Sequence, residues 1–209
     1  MALPPLQVSG DVVRLNAHLM PVRPLERELC RLHGIQPREV EAADPDEILR
    51  QAAHCDALFV VSAYLPRPVI EGLERCRVIS RLGNGTDRID VEAARDRGIL
   101  VTNVPYFCVE EMADHVLATL LMLVRQIPET SRAFYAGAYA HARRVGLALP
   151  RVRGLTLGLI GFGASARAVA ERARPFGLRV IATRRNRSAP TAEAEALGVE
   201  MTDLDTVLR

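Results

Sequence analysis

Leu155-Thr156-Leu157-Gly158-Leu159-Ile160-Gly161-Phe162-Gly163-Ala164-Ser165-Ala166 carries the clearest structural signal in the chain. An apolar run enters a glycine turn, and an Ala/Arg-rich helical pattern over 167–174 follows. Glycines alone also end strands for purely structural reasons, but a G-x-G-x-x-G/A match set between strand and helix reads as dinucleotide binding. Gly161 permits the tight turn, and Gly163 lets backbone N–H groups approach a pyrophosphate. Ala166 is small enough for the helix to pack close to the strand. The phosphates would sit at the positive helix end, where unpaired N–H groups point at them. Gly161, Phe162, Gly163, Ala164, Ser165 and Ala166 are therefore candidate cofactor-binding residues.

Outward from this turn, strand-like and helix-like runs alternate. Downstream lie a strand over 178–183, a helix near 191–197 and a short strand at 199–201. Upstream, apolar residues between Val109 and Val124 recur at i, i+3, i+4 and i+7, which predicts one long amphipathic helix over 109–127, stopped by Pro128. Residues 128–153 show little periodicity. Before them come strands over 11–18, 57–62, 77–82 and 99–102, and helices over 24–33, 45–55, 68–76 and 92–97. Asp44-Pro45-Asp46-Glu47 starts one helix with an acidic first turn, and Gly34 and Gly98 close two others. The run 57–62 is continuously apolar, as in a strand buried on both faces. This rhythm predicts an α/β fold with two parallel-sheet domains joined by the long helix, divided near Asn103.

Composition narrows the function. The chain has 209 residues, 49% of them hydrophobic, and a net charge of +2, which makes neither nucleic acid nor a membrane surface the default partner. No apolar run reaches membrane-span length, and the N-terminal residues lack a signal-peptide pattern. Cys30, Cys55, Cys76 and Cys108 are widely spaced, so free buried thiols in a reducing cytoplasm are expected rather than a metal site. All 27 basic residues are arginine. Without lysine there is no Schiff-base chemistry and no P-loop lysine.

The order of motifs resembles the D-isomer-specific 2-hydroxyacid dehydrogenase family over nearly the whole chain. Three segments carry the likeness: Gly83-Asn84-Gly85-Thr86-Asp87-Arg88-Ile89-Asp90 with 98–105, Val109-Glu110-Glu111-Met112-Ala113-Asp114-His115, and Gly158 to Gly163. The resemblance implies a flavodoxin-like substrate domain over 1–103 and the first half of a Rossmann nucleotide-binding domain over 104–209. It implies that the amides of Asn84 and Gly85 hold a substrate carboxylate, a role suited to a bare backbone concavity. It places Met112 beside the cofactor's nicotinamide, although a methionine there makes no strong hydrogen bond. It also implies a homodimer built on the long helix, and a small 2-keto acid such as glyoxylate or hydroxypyruvate as substrate.

This chain departs from the family pattern in two places. Ala164-Ser165-Ala166 carries no basic side chain over the pyrophosphate unless Arg167 swings in. Where an NAD site places Asp or Glu on the ribose 2′-hydroxyl, the chain has Thr183-Arg184-Arg185-Asn186-Arg187-Ser188. A solvated basic loop would look the same, but Arg184 and Arg185 at this position favour NADP(H) over NAD(H), since arginine binds a 2′-phosphate bidentately. His115 is expected to be a packing or capping residue, and spacing suggests no carboxylate partner for His18, His33, His54 or His141.

The resemblance places the catalytic arginine, glutamate and histidine beyond Arg209, so no catalytic residue is assigned in this chain and the chain alone is expected to be inactive. A doubly wound sheet divided there would expose apolar surface, and low stability or aggregation is the expectation. Three readings stay open: an NAD(P)-dependent reductase recorded in part, an inactive or corepressor-like dinucleotide binder, and one half of a split dehydrogenase.

Overall fold

The computed structural model describes residues 10–209. They form two compact units that divide between Phe107 and Cys108. In the first unit, strands β1 (Val12–Leu15), β2 (Arg38–Val40), β3 (Ala57–Val60), β4 (Val78–Arg81) and β5 (Leu100–Thr102) make one sheet. Every pairing is parallel, and the order is β2-β1-β3-β4-β5. That is the flavodoxin-like order, in which the direction of winding reverses between β1 and β3.

Helices α1 (Pro24–Leu32), α2 (Pro45–Ala52), α3 (Arg67–Gly72) and α4 (Val91–Asp96) connect these strands. Asp44 caps α2 by accepting from the N–H groups of Asp46 and Glu47, and Asp90 caps α4 through Ala93 N–H at 2.8 Å. Gly34 and Gly98 follow α1 and α4 with φ of +72° and +69°, where L side chains are strained. The core of this unit gathers Leu15, Ile48, Leu58, Leu65, Ile70, Leu73 and Ile79, all fully buried.

Arg14 interrupts that core. Its side chain is buried within β1 and pairs with Glu26 of α1, while its Nη2 donates to the Met20 carbonyl at 2.5 Å. Strand β2 eluded the sequence reading because Arg38-Glu39-Val40 is short, charged and at the sheet edge. Strand β3 alternates buried with half-buried residues, so it is not sealed on both faces as its apolar run suggested. All four cysteines are free; Cys55 and Cys76 are buried, whereas Cys30 and Cys108 are only half-buried.

The second unit holds α5 (Val109–Val124), α6 (Ile127–Tyr135) and α7 (Tyr139–Ala148), then β6 (Thr156–Ile160), α8 (Ala164–Ala173), β7 (Arg179–Thr183), α9 (Ala192–Ala196), β8 (Val199–Met201) and α10 (Leu204–Leu208). Its sheet is parallel in the order β6-β7-β8. Two expectations are corrected. The long helix ends at Val124, and Gln126 turns through a left-handed conformation before Pro128 helps to open α6. Proline suits a first helical turn because the N–H it lacks would be unsatisfied there anyway. The stretch expected to be irregular is instead largely helical, in α6 and α7. Apart from Ala133, the residues of these two helices are not buried.

Candidate functional site

In the second unit, α8 packs on α5 through Ala113, Leu117, Ala168 and Val169. Arg172 strengthens that contact, donating to Asp114 at 2.6 Å and to Glu110. Between β6 and α8 the chain makes its glycine turn. Gly161 has φ of +103°, and its N–H donates to the Thr183 carbonyl at 2.9 Å, tying the end of β6 to the end of β7. Phe162 points into the core among Ala170, Ala173, Val180 and Ala182 and is 7% exposed. Its contribution to any ligand is therefore through backbone, while its ring anchors the turn.

Gly163 is the N-cap of α8. The first intrahelical bond runs from Arg167 N–H to the Gly163 carbonyl at 3.0 Å. The amides of Ala164, Ser165 and Ala166 precede it and have no helical acceptor. A Cβ built on Gly163 would meet nothing within 4 Å. Open space and unpaired donors thus coincide at a helix N-terminus, the arrangement that receives a phosphate group. The turn fits a dinucleotide pyrophosphate. Ser165 is exposed, whereas Arg167 is paired with Glu193 at 2.9 Å and does not stand over the turn. Met112 lies in the first turns of α5, beside the packed Ala113, and is 48% exposed.

The arginines after β7 are not equivalent. Arg184 Nη2 donates to the carbonyls of Ala189 and Pro190, closing the loop on itself. That leaves Arg184 shaping the loop rather than offering an open fork. Arg185 is exposed. Arg187, part of the same basic stretch but given no role there, joins Arg184, Thr191, Met201, Thr202 and Asp203 around a cavity of about 200 Å³ at the ends of β7 and β8. Asp203 is held below the usual carboxylate range, chiefly by the Thr206 N–H and with help from Arg187.

In the first unit the loop after β4 carries Gly83, Asn84 and Gly85. Gly83 is buried, while Asn84 and Gly85 are exposed. Val104 N–H donates to the Gly83 carbonyl at 3.0 Å, Asn103 Nδ2 to the Asn84 carbonyl at 2.7 Å, and Arg81 Nε to the Gly85 carbonyl at 3.0 Å. The amides of Asn84 and Gly85 donate to no acceptor among the described residues. A Cβ on Gly85 would fall 2.7 Å from Asp87 Oδ1, so a carboxylate borders the loop. A parallel bridge between Leu65 and Ile89 fixes the segment that follows.

One histidine departs from expectation. His115 is exposed beside a shallow cavity along α5, and its neighbour Asp114 is engaged by Arg172, so it neither packs nor caps within the described residues. Tertiary structure supplies carboxylates to three others: His18 meets Glu41, His54 meets Glu74 at 3.0 Å, and His141 meets Glu129 at 3.0 Å. These pairs join residues 12 or more apart, beyond the reach of local spacing. Among the described residues no cluster of three metal-ligating side chains occurs, and no helix is long and apolar enough to cross a membrane.

Fold and site together define a class: a doubly wound α/β protein with a flavodoxin-like unit and a second unit carrying a glycine turn of the dinucleotide-binding type. The chain belongs to the D-isomer specific 2-hydroxyacid dehydrogenase family, whose catalytic-domain model matches residues 16–202. It is 36% identical over 169 residues to a D-3-phosphoglycerate dehydrogenase of Methanocaldococcus jannaschii, covering 79% of this chain and 31% of that protein. It is 36% identical over 210 residues to a glyoxylate reductase of Thermococcus kodakarensis, covering 96% of this chain and 57% of the reductase. The chain thus spans about a third of the first relative and just over half of the second. A D-lactate dehydrogenase from Aquifex aeolicus, solved with NAD and lactic acid, shares the fold with a TM-score of 0.75 at 21% identity, covering 95% of this chain and 57% of that one.

Proposed function

We propose that this chain supplies the carboxylate-binding loop and the pyrophosphate-binding turn of an oxidoreductase that interconverts small 2-keto and 2-hydroxy acids with a nicotinamide dinucleotide. The observation that carries the reading is the turn after β6, where a left-handed Gly161, an unobstructed Gly163 and three unpaired amides meet at the start of α8. Gly161, Gly163, Ala164, Ser165 and Ala166 would hold the pyrophosphate through backbone, and Met112 would border the nicotinamide. When bound, the dinucleotide supplies or accepts the hydride. Asn84 and Gly85 would hold the acid's carboxylate through their amides.

The same reading favours NADP(H) over NAD(H). No carboxylate occupies the position after β7 where a ribose 2′-hydroxyl would be bound. Arg185 is exposed there and Arg187 lines the neighbouring cavity, so these two would meet a 2′-phosphate while Arg184 keeps the loop closed.

Calorimetric titration of the folded chain with NADPH and NADH tests both statements. Binding of NADPH at least tenfold tighter than NADH is expected. Arg185→Ala combined with Arg187→Ala should cost NADPH about tenfold or more and leave NADH within twofold. Equal losses for both dinucleotides would reject the 2′-phosphate assignment. No binding of either would reject the nucleotide site.

A further inference from the structure

Each carbonyl of Gly83-Asn84-Gly85 is held by a donor from outside those three residues: Val104 N–H, Asn103 Nδ2 and Arg81 Nε respectively. The C=O and N–H of one trans peptide unit point in opposite directions, and no peptide bond described is cis. Anchoring three successive carbonyls therefore orients three successive N–H groups, those of Asn84, Gly85 and Thr86, away from their anchors. None of these amides donates to an acceptor among the described residues.

Gly83 adds an independent mark of the same arrangement. A Cβ there would fall 2.6 Å from Arg81 Nη1 and 2.8 Å from its Cζ. The guanidinium thus occupies the space that a side chain at residue 83 would take, and from there its Nε reaches the Gly85 carbonyl while its Nη1 lies 3.5 Å from the Val60 carbonyl. Arg81 makes no ion pair among the described residues, so its positive charge remains to favour an anion at the loop. The family resemblance implies two amides in this loop, those of Asn84 and Gly85, and no role for Arg81, Asn103 or Thr86.

We infer that Arg81 and Asn103 are positioning residues, whose hydrogen bonds to the Gly85 and Asn84 carbonyls aim a row of three amides, with Thr86 as the third donor, at the carboxylate of a 2-keto acid. The inference rests on the proposed function and extends it. Arg81 acts through backbone rather than by touching the acid. Its charge adds a long-range attraction that offsets the nearby Asp87 carboxylate.

The test uses the full chain, labelled with nitrogen-15, and pyruvate as the probe. In the wild type, saturating pyruvate should move the amide resonances of Asn84, Gly85 and Thr86 together. Arg81→Ala and Asn103→Ala should each weaken that response about three- to tenfold, the worth of one hydrogen bond. Arg81→Lys should recover part of the loss, since an ammonium can still donate to the Gly85 carbonyl. Gly83→Ala should imitate Arg81→Ala by displacing the guanidinium.

Residual dipolar couplings of the ligand-free chain give a readout independent of pyruvate. The Thr86 N–H coupling should change in Arg81→Ala while the couplings of β4 stay as they were, which also shows that the variant is folded. An unchanged Thr86 coupling overturns the positioning role, whatever pyruvate does. A wild type that ignores pyruvate overturns the proposed substrate site, and with it the carboxylate as target. If Asn84 and Gly85 respond but Thr86 does not, the third donor is rejected.

Discussion

Single residues at the two loops are constrained by geometry that tolerates little substitution. Gly161 sits at φ of +103°, a backbone region that L residues rarely occupy. Gly161→Ala is expected to cost about 1–3 kcal/mol of stability, read by urea unfolding, and to lower dinucleotide affinity at least tenfold by dragging the turn off the end of β7. An alanine variant that binds NADPH like the wild type would show that the turn does not depend on this conformation. Arg14 presents a different constraint. Its side chain is 0% exposed and its carboxylate partner Glu26 is 26% exposed. Removing one partner of such a pair leaves a buried charge uncompensated, so Glu26→Ala should destabilise the first unit by about 3–5 kcal/mol. A loss under 1 kcal/mol in denaturant titration would mean that water reaches the guanidinium.

Short helices in this chain depend on their caps, because five to eight residues gain little from propensity alone. Asp44 bonds two N–H groups at the start of α2, and Asp44→Ala should cost about 0.5–2 kcal/mol. Asp203 caps α10 through Thr206 N–H at 2.8 Å, and that bond, with Arg187 nearby, lowers its pKa. A carboxylate whose folded pKa lies below the unfolded value, about 3.9, contributes fully above that value and loses its contribution as pH falls through the folded pKa. Chemical shifts of residues 204–208 should therefore stay constant from pH 7 to 5 and move toward coil values only as pH drops below about 4. Fraying of α10 near pH 6 would assign the titration to some other group. The apolar spacing after Val109 predicts a helix running to Ile127, but the helix ends at Val124, and Pro128 helps to start the next one after the left-handed Gln126.

Across the whole molecule, burial differs between the two units. The first has a single extended core running from Val13 to Ile99, while the second divides its buried residues between two smaller clusters. Strand β6 lies at the edge of its sheet, and Ile160 is 69% exposed. Amides of β6 and β7 should accordingly exchange hydrogen faster than those of β1 and β3. NADPH at a hundredfold excess over its Kd should add about 2.7 kcal/mol of protection to the second unit, and none to the first. Equal protection of both units by NADPH would place the dinucleotide outside the turn after β6.

What the sequence determined by itself is whatever obeys a local rule. The glycine turn, the alternation of strand and helix, the caps at Asp44 and Gly98 and the family motifs are all short-range, because backbone conformation and side-chain period are properties of neighbouring residues. The tertiary structure alone decided which residues meet. It closed Arg184 onto Ala189 and Pro190, moved Arg187 to the cavity wall beside Asp203, and gave His54 and His141 their carboxylates. It also brought Asn103 across to the Asn84 carbonyl, 19 residues away. Such contacts join the ends of helices and strands and the loops between them, and their spacing along the chain follows no period that a local rule could read.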